Sequence, residues 1–165
     1  PSDMVRLCDE LRGEVDWILI DSPAGIERGF RNSVAPADKV LIVTNPEMSA
    51  VRDADRVIGL LEAEEKPTPS LIINRLNPNM VKRGDMLSVD DVYDLLRIDV
   101  IGIVPEDENV IVASNRGTPL AMDGKSKAGQ AFRNIAQRLN GEQVPFIDLE
   151  SSSLWDRLTK LAGRK

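Results

Sequence analysis

Residues Ile18–Gly25 read ILIDSPAG, an apolar run that stops at an acidic residue and turns on proline and glycine. With the preceding residues it forms VDWILI at Val15–Ile20, and its nearly continuous apolar character from Trp17 predicts a parallel strand covered on both faces. Asp21 then stands at the strand's mouth. Working outward, the pattern recurs as KVLIVT at Lys39–Thr44, SLIIN at Ser70–Asn74 and IDVIGIV at Ile98–Val104, each followed by a polar or turn-forming segment.

Helical periodicity fills the intervals. Val51, Ala54, Val57, Ile58, Leu60 and Leu61 share one broad face of a helix over residues 49–65. Ser88, with Asp91 three residues on, predicts a capped helix packed through Val92, Leu95 and Leu96. Ala128, Phe132, Ile135, Ala136 and Leu139 predict another, ending before Gly141. The stretch 75–84, with Pro78 and Gly84, reads as loop. Strands alternating with helices imply an α/β fold with a mainly parallel sheet, whose ligands sit at the C-terminal ends of the strands.

Composition sets bounds on partners. The net charge is −6, but residues 151–165 carry Arg157, Lys160, Arg164 and Lys165 against Asp156, a balance of +3 that leaves −9 for residues 1–150. An acidic body makes no strong case for nucleic acid, since binding there rests on neutralising phosphates. A lone Cys8 offers no internal disulfide, and no apolar run approaches the ~20 residues needed to span a bilayer. The opening PSDMVRLCDEL reads as the latter part of a helix with no strand before it, which suggests a processed chain or a piece of a longer one.

In the loop DSPAG, the Asp21 carboxylate can hold Mg²⁺ through its shell of waters, with Ser22 supporting that network. Pro23 restrains the turn, and Gly25 can bring its N–H close to a phosphate oxygen. An aspartate at a strand end also serves as a turn former or helix cap, so the motif alone leaves both readings open. At the other end of the chain, SSSLWDRLTKLAGRK places Leu154, Trp155, Leu158, Leu161 and Ala162 on one helical face. Arg157, Lys160, Arg164 and Lys165 flank that face, suited to anionic lipid head groups. Docking of this helix back onto the domain, or a small coiled coil, is the alternative. These elements divide the chain into a nucleotide-switch domain at 1–140, a tether at 141–153 and a membrane-targeting amphipathic helix at 154–165.

Five stretches, in order along nearly the whole chain, carry a family resemblance: IDSPAGIERG at Ile20–Gly29, TNPEMSAVRDADRVIG at Thr44–Gly59, NRLNPNMVKRGDMLSVDDV at Asn74–Val92, IGIVPEDENVIVASNRGTP at Ile101–Pro119, and the basic tail. Together they resemble the deviant Walker-A ATPases of the ParA/MinD family, in particular the membrane-associated type that determines the septum site. The resemblance implies a P-loop NTPase-like fold and an ATP/ADP and Mg²⁺ site in the complete protein. It matches Asp21 to the Walker-B aspartate and Ser22, Pro23, Ala24 and Gly25 to the switch segment that senses the γ-phosphate. Asn74 and Arg75 match the adenine side of the pocket, and Pro105, Glu106 and Asp107 a second loop bordering the base. Glu47, Ser49, Arg52 and Asp53 match a surface for ATP-dependent homodimerisation and for MinC- and MinE-like partners.

It further implies a peripheral place on the inner face of the cell membrane, or the chloroplast equivalent, in exchange with the cytoplasm. The family's glycine-rich KGGVGKT loop is not found; Gly124 in MDGKSKAG follows no apolar strand. The chain is therefore expected to be a C-terminal portion of such an ATPase, its N-terminal part absent, inactive or very weak alone and with no catalytic base to nominate. Alternatives are a nonenzymatic membrane- or partner-binding fragment and a chromosome-partitioning type relative.

Overall fold

The computed structural model describes residues 1–23, 25 and 28–149. The helix expected at 154–165, with Leu154, Trp155, Arg157, Leu158, Lys160, Leu161, Arg164 and Lys165, lies outside the described residues, as does Ala24. The elements in order are α1 (Ser2–Leu11), α2 (Arg28–Val34), β1 (Leu41–Thr44), α3 (Met48–Ala63), β2 (Ser70–Leu76), α4 (Pro78–Arg83), α5 (Val89–Leu96), β3 (Val100–Pro105), α6 (Asn109–Asn115) and α7 (Lys127–Leu139), with a 3-10 turn at Leu120–Met122 before α7.

The sheet is parallel throughout, in the order β1-β2-β3, so β2 is central. Its side chains alternate between faces, as a pleated strand requires. Leu71 and Ile73 join Ile42, Val51, Ala54, Ile58, Leu61, Val92 and Leu96 under α3 and α5. Ile72 turns the other way, with Val104, against Ala128, Ala131 and Ile135 of α7. A strand buried on both faces explains the run LII, which shows no polar alternation.

Local signals fix the helix ends. Ser88 Oγ accepts from the Asp91 N–H at 3.1 Å while Asp91 Oδ2 accepts from the Ser88 N–H at 2.8 Å, completing the capping box. These hydrogen bonds from Ser88 hold the Asp91 carboxyl below its ordinary pKa. Gly141, at φ 88°, turns the chain out of α7.

Four segments differ from the sequence reading. Residues 15–20 form no strand: a strand needs a hydrogen-bonded neighbour, and none pairs with this segment among the described residues. It runs extended with Leu19 82% exposed and Trp17 under the Lys39 ammonium, 5.8 Å from the ring centre. The expected loop at 75–84 contains α4. Asn77 Oδ1 caps it by accepting from the Asn79 and Met80 N–H groups at 3.1 and 3.3 Å, Pro78 occupies the first turn, and Gly84 closes it at φ 77°. Proline just inside and glycine just outside bracket a helix as readily as they mark a loop. Helices α2 and α6 are further additions, each of seven residues and too short to show a periodic face.

Two glycines in helices give opposite expectations. A Cβ on Gly129 would strike the Leu120 carbonyl oxygen, backbone that cannot swing aside, whereas one on Gly59 meets nothing within 4 Å. Gly129→Ala should therefore lower stability by about 1–3 kcal/mol, and Gly59→Ala raise it by roughly 0.5–1 kcal/mol. Urea unfolding midpoints moving the same way for both would contradict this packing.

Candidate functional site

The three strands point their C-terminal ends the same way, and the loops that leave them carry most of the expected site residues. At the end of β2 the ladder to β3 is irregular between Ile73 and Leu76, before Leu76 pairs with Pro105. Arg75, within that irregularity, takes φ 57°, a left-handed conformation uncommon for a side chain of this size. The twist turns Arg75 outward to solvent while Asn74 stays half-buried on the strand.

Glu106 draws the two loops together. Its Oε1 lies 3.4 Å from Arg75 Nη2, its Oε2 accepts from Asn77 Nδ2 at 3.0 Å, and its backbone N–H donates to the Leu76 carbonyl at 3.0 Å. The hydrogen bond from Asn77 does most to hold the Glu106 carboxyl below its ordinary pKa; partial burial opposes it, and Arg75 adds to the lowering. Asp107 is tied on the other side. Its Oδ2 accepts from Ser126 Oγ at 2.8 Å, and its Oδ1 accepts from the Asn109 N–H and Nδ2 at 2.9 and 2.8 Å. Burial pushes the Asp107 carboxyl up, but these hydrogen bonds and one from the Ala128 backbone outweigh it and leave the pKa lowered. Ser126 also caps α7, accepting from the Gly129 N–H at 3.0 Å.

Asp21 stands apart from this pair of loops. With Ser22, Pro23 and Gly25 it borders a cavity of about 820 Å³ whose walls include Trp17, Leu19, Phe30, Leu41 and Val43. Gly25 takes φ 98°, which a side chain would oppose, and Ser22 Oγ donates to the Pro23 carbonyl at 3.4 Å. The Asp21 carboxylate is exposed, and no ion pair or hydrogen bond joins it to Arg75 or Glu106 among the described residues. No cluster of three or more metal-ligating side chains is found among the described residues. A single exposed carboxylate suits a cation that keeps most of its waters, as Mg²⁺ does, better than one stripped bare.

Glu47, Ser49, Arg52 and Asp53 occupy the start and outer face of α3, all exposed. Arg56 Nη1 lies 3.3 Å from Asp53, and Glu47 precedes α3 without a side-chain capping bond. Three residues that support the site were not singled out in the sequence. Asn77 had a signal, an Asn-Pro pair at a helix start; Asn109 and Ser126 had none beyond being small polar residues before helical segments.

Parallel strands alternating with helices, and loops gathered at the strands' C-terminal ends, define a ligand-binding α/β domain. Residues 1–140 match the family model described as cellulose biosynthesis protein BcsQ. The chain belongs to that family and, with its relatives, to the MinD/ParA group of deviant Walker-A ATPases. It is 57% identical over 146 residues to the septum site-determining protein MinD of Synechocystis, covering 88% of this chain and 55% of that protein. The Bacillus subtilis protein of the same description is 49% identical over 154 residues, 93% of this chain and 58% of that one. Among solved structures, the MinD cell division protein of Aquifex aeolicus superposes with a TM-score of 0.85 at 49% identity, over 89% of this chain and 63% of that one. The chain spans little more than half the length of these curated relatives.

The family match corrects one expectation. Residues 1–140 are themselves the family-matched domain, with regular structure from Ser2 onward, so the reading of a C-terminal remainder without the family's core does not stand. The mistake came from taking one motif as the measure of the domain, whereas the match rests on the succession of strands, helices and loops.

The Asp107 hub sets a pH dependence. A carboxyl whose pKa is lowered by folding contributes stability above its unfolded pKa and loses it as pH falls through the folded value. Asp107→Ala should lower the thermal midpoint at neutral pH, and the gap should close on acidification below the ordinary carboxylate range. A gap that stays constant well below that range would rule out the carboxylate as its source.

Proposed function

We propose that the protein is a nucleotide switch of the division-site-positioning type, which binds ATP/ADP at the loops after β2 and β3 and relays the occupied state to partners and to a membrane. The observation that carries this reading is the joining of those two loops by Glu106, with the half-buried Asn74 amide beside them. An amide offers both a donor and an acceptor, which suits the edge of a purine. Arg75 and the Pro105–Asp107 backbone complete that side. Asp21 would hold the cation through its waters, and Ser22–Gly25 would follow the terminal phosphate. Bound Mg²⁺ would supply neutralisation of charge developing on the phosphoryl oxygens as ATP is cleaved to ADP and phosphate.

Relatives described as septum site-determining proteins support this reading, as does a solved MinC:MinD complex from Aquifex aeolicus that superposes with a TM-score of 0.85 at 49% identity. By that likeness the exposed face of α3, with Glu47, Ser49, Arg52 and Asp53, takes part in an ATP-dependent homodimer and receives MinC- and MinE-like partners. No helix among the described residues is long and apolar enough to cross a membrane. Attachment to anionic lipid is assigned instead to Leu154–Lys165 on the tether 141–153, giving a peripheral position exchanging with the cytoplasm. Each large apolar side chain buried there contributes roughly 1.5–3 kcal/mol, and each basic residue near the anionic surface about 1 kcal/mol.

Two measurements test the two ends. Asn74→Ala should weaken binding of a fluorescent ATP analogue, in the presence of Mg²⁺, about three- to tenfold, as loss of one hydrogen bond would; superimposable titrations would remove Asn74 from the base site. Leu158→Glu should sharply reduce cosedimentation with phosphatidylglycerol vesicles. Unchanged sedimentation would dismiss the apolar face as the lipid contact.

A further inference from the structure

Residues 144–149 fall within the proposed tether, yet they are held against the domain by every element they pass. Arg138 Nε donates to the Val144 carbonyl at 3.0 Å, and Arg138 Nη1 donates to the Ile101 carbonyl of β3 at 2.8 Å. The same guanidinium lies over the Phe146 ring, 4.2 Å from its centre. Asn134 Nδ2 donates to the Pro145 carbonyl at 3.4 Å, and Lys127 Nζ to the Asp148 carbonyl at 3.3 Å. Ile147 packs on the cluster under α7, while Leu149 packs on the cluster across the sheet. A segment that packs on the clusters of both faces passes an edge of the sheet, and Arg138, bonded both to Val144 and to Ile101, puts that edge at β3. The contacts run the full length of α7, from Arg138 in its last turn to Lys127 in its first.

We infer that residues 144–149 are a docked strap, clamped by Arg138, that fixes where the membrane-binding segment leaves the domain. The inference rests on the lipid-binding reading given above for Leu154–Lys165. With the strap in place, only the four residues 150–153 separate the domain from Leu154; with it released, the link runs from Gly141 and has thirteen. Fully extended, those lengths reach at most about 14 Å and about 45 Å. Where two such segments serve one homodimer, attachment of the first makes that of the second intramolecular, and its effective concentration falls as about the −3/2 power of linker length, so release lowers it roughly sixfold. Arg138 suits the clamp because a planar guanidinium can serve two carbonyls and a ring at once, which an ammonium cannot. Its Nη2 is buried with no partner among the described residues, a cost that a residue serving only as surface charge would have no cause to bear. Burial accordingly lowers the Arg138 pKa.

The test compares the full chain with its Arg138→Gln, Arg138→Lys and Phe146→Ser variants. Phe146 is about half exposed, so its replacement leaves the core intact should the Arg138 variants unfold. Thermolysin cleavage within 144–149 should be slow in the unsubstituted chain and fast in all three variants, with Arg138→Lys only partly protected. With ATP and Mg²⁺ present, affinity for phosphatidylglycerol vesicles should fall in the same order, by up to about sixfold. Rapid thermolysin cleavage within 144–149 of the unsubstituted chain would overturn the strap. Unchanged or tighter vesicle binding in a variant whose strap has come free would overturn its role in setting membrane affinity. Failure of the unsubstituted chain to bind vesicles, with 144–149 still protected, would instead strike the lipid-binding reading and take the strap's role at the membrane with it.

Discussion

Burial of β2 on both faces is the constraint from which the rest of the structure follows. Leu71, Ile72, Ile73 and Leu76 leave almost no surface to water, so every backbone polar group among them must be met by β1 or β3. Two parallel neighbours satisfy that need, and parallel strands require long crossovers, which α3 and the α4–α5 pair provide. The crossovers then bury the Leu71 and Ile73 face, and α7 buries the Ile72 face. Gly102 belongs to the same constraint. A Cβ there would run into Ile135, so its absence lets α7 approach β3 closely.

The two edges of the sheet are treated differently. Beside β3 the chain returns as the segment 144–149, and Arg138 satisfies the outward carbonyl of Ile101. Beside β1 the extended residues 15–20 stand off across the cavity, leaving Val43 61% exposed. An edge strand with an apolar exposed side chain is a place where another strand could pair. The acidic body and Lys39, near the start of β1, work against indiscriminate pairing there.

What could be read from the sequence follows from how local each signal is. SLIIN and IGIV announced their strands because burial on both faces leaves no polar interruption, KVLIVT did so by an equally unbroken apolar run although Val43 is exposed, and the Ser88–Asp91 box announced its helix because both partners lie within one turn. VDWILI carried the same apolar signal and forms no ladder, because pairing depends on a neighbour that its own residues cannot specify. The 75–84 stretch shows the opposite: Asn77, Pro78 and Gly84 specify a helix locally, because proline breaks a helix in its interior but starts one at its first turn, and glycine closes one just past its end. In the candidate site, Asn74–Arg75 and Pro105–Asp107 could be placed at strand ends from the sequence. The bond from Glu106 to Asn77, 29 positions away, could not.

That bond matters for what the acidic residues at the strand ends are free to do. Asp21, Glu106 and Asp107 look equivalent in the sequence, each directly or soon after an apolar run. In the structure both Glu106 oxygens are engaged by Arg75 and Asn77, and both Asp107 oxygens by Ser126 and Asn109. A carboxylate already supplied with donors gains little by turning to a ligand and loses loop geometry by doing so. Those two side chains therefore act by holding Asn74, Arg75 and the Pro105–Asp107 backbone in place. Among the described residues Asp21 has no such engagement with the neighbouring loops, and Ser22, Pro23 and Gly25 beside it are turn-forming, not donor-rich. Of the three, it is the carboxylate whose charge remains available to a hydrated cation.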